Sequence, residues 1–524
     1  MDSDRRVGDL PAEIGAFPMN KIKLILIFIF LVGAGLRFAD AARPIDRASW
    51  READVGAVAH NFATESMNPF YPRIDWRGAS PGYAEMEFPL DPYLIAITYK
   101  IFGVHDYFGR VWAFVFSLLT LLFFFKLARE YLGDLSLVFA SAFFTFNPLI
   151  VEFSTSIQPE GLMILSYTAS VYFFLRWLDR RENKDFWYAA ITTALTLLAK
   201  ATAAHIGLFF GVLLLQKFGP VIFKQAKVWL FALVSLLPAL LWYAHAKRLW
   251  KNYGNSLGVS NEYHWIGADF FANSYFIKGI LFSEFSVVWV YFGLLVGAFA
   301  VFKGFHEKIV RRCLLWLASI FVMYLAAART SADDWAAYCH IFSIPAAALL
   351  FGLGAGKFFE IFSSLFNFYG DFSSSEKAKK SLLVAALGIA VCGTFVLEAR
   401  QLRAHLLEHR AADESFMCAA NIKPLLRETG LILVSGGHCF DAGGYQTAYN
   451  ASFMFYWLDR KGFNICVEEQ SLEKVREFAS GGAKYFVAQK SALAQKPDLA
   501  AELKRAFPLA AKCDEYFVFD LEEN

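Results

Sequence analysis

Long apolar runs separated by short polar segments dominate the first 397 residues. The runs lie at 21–38, 110–128, 135–153, 160–177, 186–202, 204–218, 228–245, 285–302, 313–328, 336–356 and 381–397. Each is close to the length that a helix needs to cross a bilayer, about 17–25 residues. The pattern therefore predicts a mainly α, polytopic membrane helix bundle with about 11 to 13 spans.

A shorter apolar run at 89–104 contains Asp91 and Lys100, and its placement decides the side of every later loop. If this run does not cross, the loops on the side of the N-terminus are 126–134, 176–185, 217–227, 303–312 and 357–380. These loops are rich in Lys and Arg, as cytoplasmic loops are. We therefore predict that 89–104 does not span. A multi-pass protein of the inner (plasma) membrane results, with its first long loop and its C-terminal region in the outer compartment.

The apolar spans stop near residue 397, and short β-rich runs follow. LILVSGG, KYFVAQK and EYFVFDLE are separated by helical patterns such as SLEKVREFAS. They predict a transmembrane domain over 1–397, with an outer loop at 39–91, followed by a small soluble α/β domain over 398–524. Four cysteines of the second domain allow three disulfide pairings, among which the sequence does not choose: Cys418, Cys439, Cys466 and Cys513.

Composition and motifs narrow the class of protein. A hydrophobic fraction of 57% and a mean hydropathy of +0.40 exclude an ordinary soluble domain. A net charge of +2 gives no sign of a nucleic-acid partner. The seven cysteines show no CxxC or Cys/His spacing, so no metal centre is predicted from them. The chain contains no GxSxG, HExxH, Walker or GxGxxG context, which argues against serine hydrolases, zincins and nucleotide-driven pumps.

The first outer loop is unusually acidic for a protein with so many apolar runs. WREADVGAVAHNF, at 50–62, predicts a short amphipathic helix on the membrane surface, with its acids either functional or simply solvated. Glu85 and Glu87 lie in a proline-rich extended stretch, where they would share one face and could hold a hydroxyl-rich or cationic group. The alternative for Glu87 is a helix cap.

Two further charges lie beside apolar runs. Glu160 follows Pro159 at a predicted helix start, where the helix dipole alone would explain a carboxylate. Lys200, in LLAKATAAH, needs an anionic partner unless its side chain reaches the membrane surface, and a lipid phosphate would serve. The same alternatives apply to Arg329.

Several strings together resemble a known family: YPRIDWRG, EMEFPLDPYLIAITYK, VHDYFGRVW, FNPLIVEFSTSIQPEGLM and LLAK. They are similar to the bacterial relatives of protein O-mannosyltransferases and lipid A aminoarabinose transferases, which are C-type (GT-C) membrane glycosyltransferases. The likeness covers about residues 20–215 and continues more weakly to about 360. It implies an enzyme that takes sugars from polyprenyl-phosphate donors at the outer face of the membrane.

The resemblance also implies roles for single residues. An acid of the first loop acts on the acceptor hydroxyl, and the matching position is Asp54. Glu52 is the alternative, because the family's adjacent Asp-Glu pair is absent here. Glu87 and Glu160 match further acids that would orient sugar hydroxyls or a cation, with Glu85 beside them. Lys200 matches a lysine that would neutralise the donor phosphate. The chemistry of the transfer, apart from the resemblance, suggests Arg51 or Arg329 as further counter-charges for the phosphate. It also suggests three aromatic residues that would stack on sugars, with enrichment at the membrane interface as the alternative explanation: Trp76, Tyr83 and Tyr93.

The expected reaction is an inverting displacement. Its partners are a polyprenyl-phosphate sugar, a lipid, glycan or protein acceptor, and membrane lipids, with no nucleic acid. The cofactor is left open, with a divalent cation as the one candidate. Two rival interpretations remain: a transporter or flippase of lipid-linked sugars, and a membrane scaffold with a C-terminal sensor domain. A transporter is expected to show repeated halves, which the sequence lacks.

Overall fold

The computed structural model describes residues 19–39, 41–259, 270, 272–367, 374–408, 412–427, 430–441, 444 and 446–522. The described residues up to Glu408 are largely helical. The α-helices there are α1 Met19–Phe38, α2 Trp50–Thr64, α3 Leu90–Phe102, α4 Tyr107–Tyr131, α5 Asp134–Phe146, α6 Pro148–Glu152, α7 Glu160–Arg180, α8 Asn183–Ala199, α9 Ile206–Phe218, α10 Ala226–Tyr253, α11 Tyr275–Ser283, α12 Gly293–Gly304, α13 Lys308–Ala326, α14 Ala328–Ala332, α15 Ile344–Asn367 and α16 Ser374–Glu408. Short 3₁₀ segments lie at Ala201–His205, Gly219–Lys224 and Asp334–Ser343, and a π-helical turn lies at Glu284–Val288.

The multi-pass helical pattern expected from the sequence is present, with fewer candidate spans than the 11 to 13 predicted. Within the described ranges, seven helices are long and apolar enough to cross a bilayer, or eight if the pair bent by 93°, Tyr275–Val288 with Gly293–Gly304, counts as one span. Outward-facing apolar side chains fit a lipid environment: Leu240 is 64% exposed and Leu241 is 63% exposed. The protein is therefore a multi-pass membrane protein. The run at 89–104 forms the 13-residue helix α3, which is too short to cross by itself.

Besides the run at 285–302, which contains the 93° bend, two more predicted spans are interrupted. The run at 135–153 breaks at Asn147, because Pro148 cannot continue the hydrogen bonding of α5 and begins α6 instead. The run at 336–356 starts as the 3₁₀ segment Asp334–Ser343, and its α-helix begins only at Ile344. These breaks put irregular backbone at the ends of helices, where a binding site can use the exposed peptide groups.

Small residues let α15 and α5 pack closely. A Cβ atom added to Gly352 would lie 2.4 Å from the carbonyl oxygen of Ser136, and one added to Gly356 would lie 2.0 Å from the Ser136 hydroxyl oxygen. Spacing of small residues by four places them on one helix face, where they allow backbones to approach in a membrane. This contact fixes the long helix α15 against the shorter apolar helix α5.

The C-terminal region is an α/β domain. Its strands are β3 Leu431–Ser435, β4 Gly462–Ile465, β5 Ala483–Gln489, β6 Leu509–Lys512 and β7 Tyr516–Asp520, and its α-helices are α17 Glu414–Ile422, α18 Ser452–Leu458, α19 Leu472–Ser480, α20 Lys490–Ala494 and α21 Pro497–Ala506. The order is β4-β3-β5-β7-β6, with β3 parallel to β4 and β5, and β7 antiparallel to β5 and β6. Helix α16 runs to Glu408, past the predicted domain boundary at 397.

The C-terminal domain is fastened to the first loop. The Ser452 hydroxyl donates to the carbonyl oxygen of Trp50 at 2.9 Å, and the Trp457 indole donates to that of Ile45 at 2.6 Å. The Tyr456 hydroxyl donates to Asp106 at 2.7 Å. The short strands β1 Ala84–Glu85 and β2 Asn255–Ser256 pair in parallel and join the first loop to the end of α10. The first loop is thus held on both sides.

Two disulfides are present among the described residues. Cys418 pairs with Cys513, and Cys439 pairs with Cys466. The structure thereby selects one of the three pairings that the sequence left open.

Glycine substitutions test the close packing of α15 on α5. We expect Gly352→Ala and Gly356→Ala each to destabilise the protein by roughly 1–3 kcal/mol, since the added methyl groups overpack the contact with Ser136. Thermal unfolding in one detergent at a fixed scan rate measures this. Gly207→Ala and Gly211→Ala, on α9, are matched controls, because a Cβ there meets nothing within 4 Å. Equal unfolding temperatures for both pairs would contradict the packing described.

Candidate active site

A cavity of about 1030 Å³ lies where the first loop, the N-terminus of α7, the turn after α8 and the C-terminal domain meet. Helix α2 supplies one wall. Ser49 caps α2 by accepting a hydrogen bond from the Glu52 amide at 3.3 Å, which fixes the first turn and places Trp50, Arg51 and Glu52 on the cavity. The helix predicted at 50–62 is present as α2, but its acids are not simply solvated, because α2 is buried nearly throughout, between α3 and α18.

Two ion pairs occupy the cavity wall. Arg51 pairs with Glu87, and the Lys200 ammonium lies 2.5 Å from Glu160 and 3.8 Å from Glu87. The sequence explains the meeting of these groups. Lys200 caps the C-terminus of α8, whereas Glu160 begins α7 after Pro159. Two cations therefore face two carboxylates, and the cluster is neutral as a whole.

The electrostatics of this cluster favour ionised groups. Burial would raise the pKa of Glu87, but the attraction of Arg51 and Lys200 outweighs it and holds the pKa of Glu87 below its usual range. The Lys200 ammonium also lies 4.4 Å from the ring centroid of Tyr338, a cation–π contact that adds stabilisation. Glu87 is consequently a carboxylate at neutral pH.

Glu52 has a different set of partners. Its carboxylate accepts hydrogen bonds from Arg110 at 3.1 Å, from the Ser156 hydroxyl at 3.1 Å and from the Ile157 amide at 2.9 Å. Arg110 also donates to the carbonyl oxygen of Thr155 at 3.0 Å. Glu52 lines the cavity, and at the same time it braces the segment that leads into Glu160.

Asp54 does not line the cavity, whereas Trp76 does. The Asp54 side chain is fully buried, and its Oδ1 accepts a hydrogen bond from the Trp76 indole at 2.9 Å. Its Oδ2 has no hydrogen-bond partner among the described residues. Burial raises the pKa of Asp54 to about 7, with the Trp76 hydrogen bond and Arg51 opposing the rise.

The structure brings together six of the eleven residues singled out in the sequence. Those that line the cavity are Arg51, Glu52, Trp76, Glu87, Glu160 and Lys200, and those that do not are Asp54, Tyr83, Glu85, Tyr93 and Arg329. Arg329 is half-buried in α14, whose neighbours Ala327 and Thr330 line the cavity instead.

The expectation that Glu85 and Glu87 share one face of the site is wrong. The extended segment is only two residues long, and Glu85 accepts a hydrogen bond from Ser256 at 2.6 Å, which supports the β1–β2 pairing. Tyr83 packs against Tyr71 and Tyr253, and Tyr93 packs against Phe62. The two tyrosines expected to stack on sugars therefore lie in packing contacts away from the cavity wall.

Several residues of the site have no role in the prediction made from the sequence. Arg110 could have been found, because an arginine at the start of an apolar run requires a partner. Trp50, Trp250 and Tyr338 line the cavity, but aromatic residues are frequent along this chain. The loop 446–450 gave no signal, because it is far in sequence from every other part of the site.

Glu87 and Glu160 do not by themselves form a site for the divalent cation that was the candidate cofactor. Each central carboxylate, Glu87 and Glu160, already faces a fixed cationic side chain. Within the described part of the chain, the group with metal-ligand spacing is Cys439, Cys466 and Glu468, and its cysteines are joined in a disulfide. No step of the proposed reaction is therefore assigned to a metal ion.

Comparison with known proteins supports the resemblance inferred from the sequence. Residues 86–243 match the family model described as dolichyl-phosphate-mannose-protein mannosyltransferase. The whole chain is similar to ArnT from Cupriavidus metallidurans bound to undecaprenyl phosphate. The TM-score is 0.61 at 11% identity, over 96% of this chain and 99% of that one.

A second similar structure is the Archaeoglobus fulgidus oligosaccharyltransferase in the apo form. The TM-score is 0.51 at 13% identity, over 90% of this chain and 70% of that one. A comparison with curated proteins finds no match. The fold is thus that of the GT-C glycosyltransferases, as the sequence predicted. At these identities the structural likeness establishes the fold, and the function rests on the site.

The raised pKa of Asp54 predicts a pH-dependent stability. A carboxyl whose pKa is raised to about 7 on folding stabilises the folded protein below its ordinary pKa, and this contribution is lost as the pH rises to about 7. Asp54→Asn keeps an acceptor for Trp76 and removes the titration. We expect the unfolding temperature of D54N to exceed that of the native protein by a margin that grows from pH 5 to about pH 7 and is then constant.

Thermal scans at pH 5, 6, 7 and 8 measure this difference in unfolding temperature. A difference independent of pH would contradict the raised pKa of Asp54. Glu473→Gln, at an exposed acid of α19, is the control.

Proposed function

We propose that the protein is a glycosyltransferase. It moves a sugar from a polyprenyl-phosphate donor to a hydroxyl or phosphate of a lipid, glycan or protein acceptor. The observation that carries this proposal is the pair of cationic side chains, Arg51 and Lys200, beside buried carboxylates in a cavity of a GT-C fold. A similar fold has been solved with undecaprenyl phosphate bound, which supports a lipid-linked donor for this chain as well.

The donor phosphate binds Arg51 and Lys200 in this proposal. Both cations are held at the cavity by carboxylates, so an arriving phosphate exchanges with those carboxylates instead of meeting unpaired charges. The exchange conserves the neutralisation of each cation, and it releases Glu87 and Glu160 toward the sugar. Binding of the donor thus prepares the carboxylates for their work in the transfer.

The chemical step is a single displacement. The acceptor O–H loses its proton to a carboxylate, and the acceptor oxygen forms a bond to the anomeric carbon. The bond between that carbon and the phosphate oxygen breaks, and its electron pair leaves with the polyprenyl phosphate. Lys200 and Arg51 stabilise the charge on the departing phosphate, and the sugar carbon is inverted.

The identity of the base is part of the proposal. Glu87 lines the cavity and becomes available when phosphate replaces it on Arg51, so the contacts favour Glu87. Asp54, the base implied by the family resemblance, needs Trp76 to move before it reaches the acceptor. Glu52 is held by Arg110 and two further donors, which favours a bracing role.

We place the reaction at the outer face of the inner (plasma) membrane. The loops opposite the cavity-bearing side are rich in lysine and arginine, as cytoplasmic loops are. The two disulfides of the C-terminal domain, which helps to line the cavity, support an oxidising compartment on this side.

Removal of the phosphate-binding charge tests the proposed activity. The purified protein in liposomes is supplied with a panel of polyprenyl-phosphate monosaccharides and total membrane extract, and donor consumption is followed. Lys200→Gln is expected to slow consumption on the order of 10²-fold, because the leaving phosphate loses its counter-charge. Glu473→Gln, which changes an exposed acid away from the cavity, is expected to leave it unchanged. If the native protein consumes no donor of the panel, transport or scaffolding becomes the better interpretation.

A second comparison identifies the base. Under the same conditions Glu87→Gln is expected to slow transfer on the order of 10²–10⁴-fold, since a base of the proton transfer is removed. Asp54→Asn is expected to keep most of the activity, because this side chain lies behind Trp76. Loss of transfer in D54N with near-native transfer in E87Q would reverse the assignment and require Trp76 to move during turnover. Thermal unfolding of each variant confirms that it is folded.

A further inference from the structure

The C-terminal domain forms one wall of the cavity. Most of the wall is the segment Gln446–Asn450, between β3 and α18, and all five of its residues line the cavity together with the carboxylate of Asp441 before them. Gln446 is exposed, and Tyr449 and Asn450 are half-buried, so their side chains are accessible from the cavity. The segment contains amide, hydroxyl and phenol groups and no ionisable carboxylate or cation. Its chemistry therefore differs from that of the Arg51–Lys200 side.

This wall is built in advance. The Thr447 amide donates to the carbonyl oxygen of Cys439 at 2.9 Å, and the Gly437 amide donates to that of Tyr449 at 2.9 Å. The Asn464 side chain donates to the same Tyr449 oxygen at 3.3 Å. The disulfide of Cys439 with Cys466 joins the chain before this segment to the end of β4. Because the backbone is fixed by these bonds, the wall loses little conformational freedom when a ligand binds.

Aromatic rings complete this part of the lining. Trp50, Trp76 and Trp250 line the same cavity as Tyr449, and all four are half-buried, so part of each residue stays accessible. Arg43 and Asp46, which lie nearby, form an ion pair with each other, with 2.7 Å between the guanidinium nitrogen and the carboxylate oxygen. Wide amphipathic rings together with neutral donors and acceptors match the alternating C–H faces and hydroxyl groups of a sugar ring. Neutral groups give a phosphate no counter-charge, so this wall does not suit the donor phosphate.

We propose that the Gln446–Asn450 wall is the acceptor subsite and that it binds a carbohydrate. The inference rests on the proposed function and adds the class of acceptor. The hydroxyl that receives the sugar then belongs to a glycan or to a sugar-bearing lipid, and not to a serine or threonine of a protein. The disulfide Cys439–Cys466 is a positioning element that keeps the wall in place.

A binding measurement tests the subsite without requiring turnover. The full-length protein in detergent is titrated calorimetrically with envelope oligosaccharides released by mild acid, with tryptic peptides of the same envelope, and with undecaprenyl phosphate. The oligosaccharides are expected to bind, and Tyr449→Ala and Asn450→Ala are expected to weaken that binding about tenfold each. Binding of undecaprenyl phosphate is expected to change less than about twofold, which corresponds to about 0.4 kcal/mol.

The controls come from the same domain. Phe440→Ala changes an exposed residue that precedes the wall and does not line the cavity, so oligosaccharide binding should be unchanged. Replacement of Cys439 and Cys466 by serine should weaken oligosaccharide binding several-fold. The same replacement of Cys418 and Cys513, which pack in the core on the side of α17, should not. Thermal unfolding identifies any variant that fails to fold.

The outcomes separate this inference from the proposed function. Peptide binding in place of oligosaccharide binding, or oligosaccharide binding that is equal in Y449A, N450A and the native protein, would overturn the acceptor subsite. Absence of oligosaccharide binding by a protein that binds undecaprenyl phosphate would overturn it too. In each of these cases donor consumption still reports on the transferase activity. Conversely, if the native protein binds the oligosaccharides but not undecaprenyl phosphate, only the proposed binding of the donor phosphate by Arg51 and Lys200 is contradicted.

Discussion

Neutralisation of buried charge is the constraint on which the site depends. An isolated ammonium or carboxylate is costly to bury at the end of membrane helices, so each must find a partner of opposite sign. Lys200 and Glu160 satisfy each other across the ends of α8 and α7, and Arg51 and Glu87 do so across the first loop. These contacts hold four parts of the chain together: α2, the segment before α3, the start of α7 and the turn after α8. The four charged groups, which lie on separate segments, thus meet on one wall of the cavity.

In the proposed reaction these pairs would control access to the two cations. A cation that is already paired does not attract every passing anion, whereas the donor phosphate would replace the carboxylate beside it. The freed carboxylate would then need a new partner on the sugar or the acceptor, because a buried charge without a partner is costly. Donor binding and activation of the acceptor would thereby be linked through one set of side chains. Glu52 and Arg110 do not take part in this exchange, and they keep the segment before Glu160 in place.

The C-terminal domain is part of the site as well as an attached module. Its helix α18 packs on α2 and is hydrogen-bonded to the backbone of the first loop, while the preceding segment lines the cavity. A transferase needs two kinds of recognition, one for a phosphate in the membrane and one for an acceptor. In the proposed reaction, the charged residues around Arg51 and Lys200 would bind the phosphate, and the segment Gln446–Asn450 would bind the acceptor.

The sequence by itself determined the class of the protein, because hydropathy and the distribution of lysine and arginine act locally along the chain. Spans, the short α3 and the α/β character of the C-terminal domain all follow from patterns within a few turns of helix or strand. It also identified Glu87, Glu160 and Lys200 as charges that require partners, since burial of charge is visible from the surrounding apolar residues.

The sequence did not determine which acid reaches the cavity. Asp54 and Glu52 are two residues apart, yet the direction of each side chain depends on how α2 packs against α3 and α18. The disulfide pairing, the withdrawal of Glu85 toward Ser256 and the contribution of Gln446–Asn450 likewise depend on contacts between distant segments. Only the tertiary structure could decide them, because the direction of a side chain is set by what its own helix or strand packs against.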